Sequence, residues 1–260
     1  MSSNMKPIKL YSHAGVSAQP SYTPVQRPQP WKVAIFLNEL DLAYETELMQ
    51  FPDLKKEPFE SINPNGRVPA IEDPNTGMKV WESGAIIEYL LETYDEANKS
   101  GLRYTSGAAK WEQKSWAYFQ MSGQGPMYGQ RAWFTFVSYT IARLLMTYCQ
   151  HTDEIGDVQY HPEKNLTSCL DRYGNEIKRI LSVINAHLKK SGRPYLCGEH
   201  ASYADLMFVP WGWLAPAIMG EGFADEWKKS YPEAWAWQQK LEERPAVSKA
   251  REAREKANAK

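Results

Sequence analysis

The sequence predicts a small mixed α/β domain followed by an all-helical domain. Two observations predict it. The first 93 residues alternate short β-type runs with helical runs and carry strong turn signals, whereas beyond residue 108 nearly every apolar pattern has helical spacing. Between them, residues 94–108 are polar and contain glycine, as a linker does. The expected organisation is 1–93, a linker at 94–108, and a helical domain over 109–260.

Pro7 to Ser12 reads as a strand, with Ile8 and Leu10 on one face. Trp31 to Leu40 reads as a helix, with Pro30 in its first turn. Tyr44 to Met49 is a second strand. Asn63-Pro64-Asn65-Gly66 signals a turn, Val68 to Glu72 a third strand, and Met78 to Trp81 a fourth after a hairpin turn over Asp73 to Gly77. Ser83 to Tyr94 reads as a helix. A crossover makes the first two strands parallel; the tight turn makes the last two antiparallel. In the second half, helical patterns run over Ala109 to Tyr148, broken near Gly123-Gln124-Gly125-Pro126, then Glu163 to Lys190, Ser202 to Met219, Pro232 to Arg244 and Pro245 to about Ala257. Lys249 to Lys260 reads as a solvated helical tail.

Composition narrows the function. Lys plus Arg is 30 against 31 Asp plus Glu, which gives no basic surplus for nucleic acid or an anionic membrane. No apolar run is long enough to span a bilayer and none opens the chain as a signal peptide, so a cytoplasmic protein is expected. Cys149, Cys169 and Cys197 lie far apart without metal or CxxC spacing, so no metal is expected and each reads as a small apolar residue. Ten Trp and fifteen Tyr point to a large aromatic core or pocket.

Three constellations carry candidate chemistry. A cis bond at Val68-Pro69 would turn the Val68 N–H and C=O outward to pair with an extended peptide, although most X–Pro bonds are trans. Trp81-Glu82-Ser83 stands where a strand meets a helix. Free N–H groups and the dipole there favour a carboxylate. Ser83 can add a hydroxyl and Glu82 can accept from an ammonium group; a plain capping serine is the alternative. Ser202-Tyr203-Ala204-Asp205 reads as a capping box with Asp in the Glu position, a structural device.

These pieces, in order, carry a resemblance. NPNGRVPAI (63–71), WESGAI (81–86), QMSGQGPMYGQ (120–130), ASYADLMFVPW (201–211) and RPAV (244–247) span nearly the whole chain. The chain resembles cytosolic glutathione transferases, most of all the fungal branch related to the prion-forming nitrogen-catabolite regulator. The resemblance implies a thioredoxin-like N-terminal domain that holds glutathione and an all-α domain that holds a second substrate. It implies that Pro69 is cis, that Val68 pairs with the cysteinyl part, that Glu82 and Ser83 hold the γ-glutamyl end, and that Arg67 and Lys56 lie near the glycyl end. It also implies an apolar pocket, for which Met121, Gln124, Met127, Tyr128, Arg131 and Trp213 are the candidates, and a homodimer.

The thiol end departs from the family pattern. Stabilising glutathione as thiolate by two pH units takes about 2.7 kcal/mol. In the fungal branch an Asn before the first helix supplies the donor; here Gln29 stands in its place within Gln29-Pro30-Trp31-Lys32. Gln keeps the amide donors on a longer stem. The loop from His13 to Pro28 is also long, and Ser17 and Tyr22 in it can supply a hydroxyl. Gln29, a loop hydroxyl, and weak activation all stay open. The expected function is conjugation of glutathione to a small apolar electrophile, or peroxide reduction. The alternatives are a pathway-dedicated isomerase, lyase or thiol-adding enzyme of secondary metabolism, and a non-catalytic ligand-binding protein.

Overall fold

In the computed structural model, residues 5–13, 28–137 and 166–258 are described. The chain divides into two compact units. One comprises Met1–Ala117, Arg193–Pro210 and Trp237–Lys260, the other Tyr118–Gly192 and Trp211–Ala236.

The first unit is built on a four-stranded sheet. β1 (Ile8–His13), β2 (Tyr44–Met49), β3 (Ala70–Asp73) and β4 (Met78–Trp81) lie in the order β2-β1-β3-β4. β1 and β2 are parallel, as their crossover through α1 (Pro28–Glu39) requires; β3 runs antiparallel to both β1 and β4. The third strand begins at Ala70 rather than at the expected Val68. Pro69, lacking an N–H, cannot join the ladder. Ile8, Leu10, Ala70 and Ile71 are buried on the sheet. Against it lie α1 and α2 (Ser83–Tyr94), the latter through Ile86, Ile87 and Leu90.

Every residue of α1 from Trp31 to Leu37 is buried. The cause lies at the far end of the chain: α9 (Pro245–Asn258) packs on α1, burying Val247 and Ala250. Arg244, just before α9, makes a two-pronged ion pair with Glu39, Nε and one terminal nitrogen each donating at 2.7 Å. The expected solvated tail is therefore a helix with one docked face. Its Lys, Arg and Glu residues at Lys249, Arg251, Glu252 and Glu255 line the side left in water.

The predicted break near Gly125-Pro126 is a change of helix pitch. α3 (Gly107–Phe119) leads into a π-helical turn at Gln120–Gln124 and then α4 (Gly125–Ala132). The Gly125 N–H donates to the Gln120 carbonyl. Pro126 has no N–H and its ring would crowd the preceding turn of an α-helix. The widened turn immediately before it takes up the mismatch. Beyond residue 166 come α5 (Thr167–Ser191), α6 (Tyr203–Met219), α7 (Phe223–Ser230) and α8 (Pro232–Glu242). Among the described residues no helix is long and apolar enough to cross a membrane.

Ser202 and Asp205 form a buried knot at the head of α6. Asp205 Oδ2 accepts from the Ser202 N–H (2.9 Å) and hydroxyl (2.7 Å). Its Oδ1 accepts from the Leu196 N–H and the Trp237 indole N–H, both at 2.9 Å. In a standard capping box the serine oxygen accepts from the helix. Here the serine donates instead, because a fully buried carboxylate needs its oxygens satisfied.

Candidate functional site

The ladder register gathers the site. Tyr11 pairs with Ala70 and Ala70 with Trp81. Continuing past those partners, Val68-Pro69 and Glu82-Ser83 leave the same end of the sheet, the end where β1 runs toward α1. Parallel strands in open α/β sheets bind ligands off their carboxyl ends.

The turn ahead of Val68 is fixed by its own side chains. Asn63, nearly fully buried, donates from its amide to the Arg67 carbonyl (2.6 Å) and accepts from the Asn65 N–H (2.9 Å); the Gly66 N–H donates to the Asn63 carbonyl at 2.8 Å. Gly66 has φ +56°, and a Cβ there would lie 2.5 Å from the Leu54 carbonyl oxygen. Gly66→Ala is expected to cost about 1–3 kcal/mol, read as a lower urea midpoint at unchanged m-value. The peptide bond between Val68 and Pro69 is cis, as expected. The Val68 side chain is buried with Tyr11, Leu54, Phe59, Ile62 and Ala70. Arg67 is exposed. Lys56 turns toward Asp53 at 3.9 Å, while its neighbour Lys55 donates to the Asn65 carbonyl at 2.5 Å. The lysine lying on this turn is thus Lys55, which the sequence reading did not single out.

At the second constellation, Glu82 rather than Ser83 occupies the cap position of α2. Its carbonyl accepts the first helical bond, from the Ile86 N–H at 2.9 Å, and its side chain makes no capping hydrogen bond. Glu82 has φ +67° and ψ 118°, a conformation that costs a non-glycine residue of order 1–3 kcal/mol. That geometry leaves Glu82 exposed and turns Ser83 inward as the first helical residue, nearly fully buried.

Two residues of α1 reach Ser83. Lys32 Nζ donates to Ser83 Oγ at 2.9 Å, and Ser83 Oγ donates to Gln29 Oε1 at 3.3 Å. Gln29 and Lys32 are one helical turn apart and so share a face. Lys32 is fully buried, and burial pushes its amine down to about 7, opposed by the charge of Glu82. In the sequence Lys32 ends the Gln29-Pro30-Trp31-Lys32 stretch and stands inside an apolar run with Trp31, Val33 and Ala34, a pattern that gives it no role of its own. Ser17 and Tyr22 lie outside the described residues.

The pocket candidates belong to the other unit. Gln124 and Tyr128 are buried: Gln124 accepts from the Gln120 amide at 3.0 Å, and Tyr128 packs edge-on against Trp211 at 6.0 Å. Burial pushes the Tyr128 hydroxyl up. Arg131 Nε donates to the Ile218 carbonyl at 2.8 Å, satisfying an orphan acceptor at the end of α6. Met121, Met127 and Trp213 are half-buried. Cys197 is buried and its thiol is pushed up to about 12, so it stays a thiol; Cys169 is half-buried. Among the described residues no cluster of His, Cys, Asp or Glu is arranged to hold a metal.

A mixed sheet with a cis-proline turn and a helix head at the same end, joined to a helical region, defines a thioredoxin-like binding domain with a helical partner domain. The comparisons agree. Residues 21–92 match the family model "Glutathione S-transferase, N-terminal domain", and residues 168–239 match "Glutathione S-transferase, C-terminal domain". The chain is 39% identical over 246 residues to glutathione S-transferase-like protein OpS6 of Beauveria bassiana, covering 95% of each, and 35% identical over 254 residues to glutathione S-transferase 2 of Schizosaccharomyces pombe, covering 94% of each. Among solved structures, glutathione transferase URE2P6 of Phanerochaete chrysosporium, in complex with oxidized glutathione, superposes with a TM-score of 0.75 at 36% identity over 97% of this chain and 98% of that one. The chain belongs to the glutathione S-transferase family, in the fungal branch that includes the Ure2 proteins.

Proposed function

We propose that the chain binds glutathione at the carboxyl end of β1 and uses its thiol against an electrophile. The observation that carries this is the convergence of Gln29 and Lys32 on Ser83 at the head of α2, at the sheet end where Val68-Pro69 emerges. The γ-glutamyl carboxylate rests on Ser83 and the helix head, where dipole and N–H groups favour an anion. Its ammonium meets the exposed Glu82 carboxylate. The cysteinyl backbone pairs with Val68 as an added strand. Arg67 meets the glycyl carboxylate through water or directly, with Lys55 on the same turn beside it.

With its amide oxygen facing Ser83, Gln29 turns its NH2 the other way, toward the cysteinyl thiol. That amide stabilises the thiolate; a hydroxyl from Ser17 or Tyr22 is the alternative donor. The thiolate sulfur then bonds to an electrophilic carbon as the leaving group departs with its electron pair. With an organic peroxide, two glutathiones give the disulfide while the peroxide becomes alcohol and water. Met121, Gln124, Met127, Tyr128, Arg131 and Trp213 of the second unit are the candidates for holding the second substrate.

Ser83→Ala is expected to weaken glutathione binding 10- to 100-fold in calorimetry, the range of one to two hydrogen bonds to a charged group. The same preparation is assayed for conjugation of 1-chloro-2,4-dinitrobenzene and for reduction of cumene hydroperoxide. No glutathione binding by the unaltered chain removes the proposal; binding without turnover leaves a ligand-holding protein. A second reading, an enzyme dedicated to one pathway as isomerase, lyase or thiol-adding step, is favoured by Gln29, whose amide oxygen is engaged by Ser83. Activity confined to one class of substrate separates it from broad conjugation. A homodimer, the assembly that the family resemblance implies, is tested by light scattering.

A further inference from the structure

We propose that the Ser83 hydroxyl is a positioning group for Gln29: it holds the amide oxygen and so aims the amide NH2 at the glutathione sulfur. The inference rests on the glutathione reading above and refines it, because it leaves the γ-glutamyl carboxylate to the N–H groups that open α2.

A hydroxyl has one proton and two lone pairs. Lys32 Nζ donates to Ser83 Oγ at 2.9 Å, so it occupies a lone pair and leaves the Ser83 proton to point elsewhere. That proton goes to Gln29 Oε1, at 3.3 Å. The three side chains form a chain of one direction, N–H to O–H to O=C, in which each bond polarises the next. An amide that accepts at its oxygen carries both N–H donors on its other branch. Gln29 has one more rotatable bond than the asparagine of the family pattern, so its amide loses more freedom on being fixed and needs a hold. Ser83 and Lys32, both buried, provide a rigid one, whereas Gln29 is half-buried.

The single proton also limits what Ser83 does for the ligand. Its hydroxyl donates fully to Gln29 or to a carboxylate, not to both. α2 offers the carboxylate other donors. The Gly84 and Ala85 N–H groups lie in its first turn, where an α-helix has no internal acceptor for them, and the dipole there favours an anion. A hydroxyl that stays with Gln29 therefore acts at the sulfur. The thiolate accepts a hydrogen bond from the aimed NH2, and the affinity lost in Ser83→Ala is lost there.

The test titrates the thiol of bound glutathione by the ultraviolet absorbance of thiolate, as a difference against free glutathione. In the unaltered chain the bound thiol is expected about 1–2 pH units below the free value near 8.5. Ser83→Ala is expected to return it to that value, and Ser83→Thr, which keeps the hydroxyl, to hold it down. Gln29→Glu still accepts from Ser83 but has no NH2, and is expected to raise the thiol to the free value or above. At pH 9, Ser83→Ala is expected to bind glutathione 10- to 100-fold more weakly, the same shift at tenfold per unit. S-Methylglutathione has no thiolate and is expected to lose no more than about 3-fold, the range of one weak hydrogen bond. A bound thiol that is unshifted in the unaltered chain or still shifted in Ser83→Ala, or equal losses for the two ligands, overturns the role of Ser83 and leaves the glutathione site standing. Failure of the unaltered chain to bind either ligand overturns the site itself. Should Ser83→Ala not fold, Gln29→Glu decides: a thiol that stays low beside that carboxylate has no use for the amide NH2, and the proposal falls.

Discussion

Replacing Asp205 by alanine is expected to unfold the first unit by about 3–5 kcal/mol, measured by urea titration. The carboxylate holds four donors from three separate segments: Leu196 before α6, Ser202 at its cap and Trp237 in α8. Alanine would leave the two backbone N–H groups, the hydroxyl and the indole N–H buried without an acceptor, each worth about 1–3 kcal/mol when isolated. Relaxation and water entry keep the total below their sum. Asp205→Asn keeps the shape but puts an NH2 group where donors already stand on both sides, so it is expected to fall between alanine and the natural residue. An alanine variant with unchanged stability would mean that the knot contributes nothing beyond its packing.

Lys32→Met is expected to move stability the opposite way. Free lysine titrates near 10.5, and burial brings Lys32 to about 7. Between those values the unfolded chain binds a proton that the folded chain does not, so stability rises with pH across that window and the penalty is complete below it. At about 1.4 kcal/mol per pH unit, the gap amounts to ~5 kcal/mol at neutral pH. Loss of the Ser83 hydrogen bond and imperfect packing of the new side chain offset part of it. A net gain of about 1–4 kcal/mol at pH 7, shrinking toward pH 10, is the expected result in chemical denaturation. A variant that is more stable yet binds ligand more weakly would illustrate strain kept for function. Lower stability at pH 7 with an unaltered pH profile would show that the amine is comfortably solvated.

The sheet was legible because its signals are local. Tyr44 to Met49, Met78 to Trp81 and Ser83 to Tyr94 are elements of the structure with the bounds read from alternation, turn residues and helical spacing. The cis proline and the Glu82-Ser83 junction were legible only because several weak motifs occur in series. Other features depend on partners distant in the chain. Lys32 looks like an exposed residue of an amphipathic helix until α9 and α2 cover it. α7 is hard to read because Phe223 and Trp227 are its two buried residues, too few to make a periodic pattern. The tail from Lys249 looked solvated because Val247 and Ala250, its buried contacts, are small and sparse among charges. Gln29 keeps the amide that the pattern called for, but its oxygen is drawn to Ser83, an encounter that spacing does not reveal.

The docking of α9 on α1 gives the end of the chain a say in events at its beginning. Gln29 and Lys32 ride on a helix that is held from behind by Val247 and Ala250 and pinned at its far end by Arg244 on Glu39. Prying that final segment loose, whether by deletion, by a fused affinity handle or by charge reversal at Glu39, would let the helix rock and spoil the alignment around Ser83 without touching a single ligand contact.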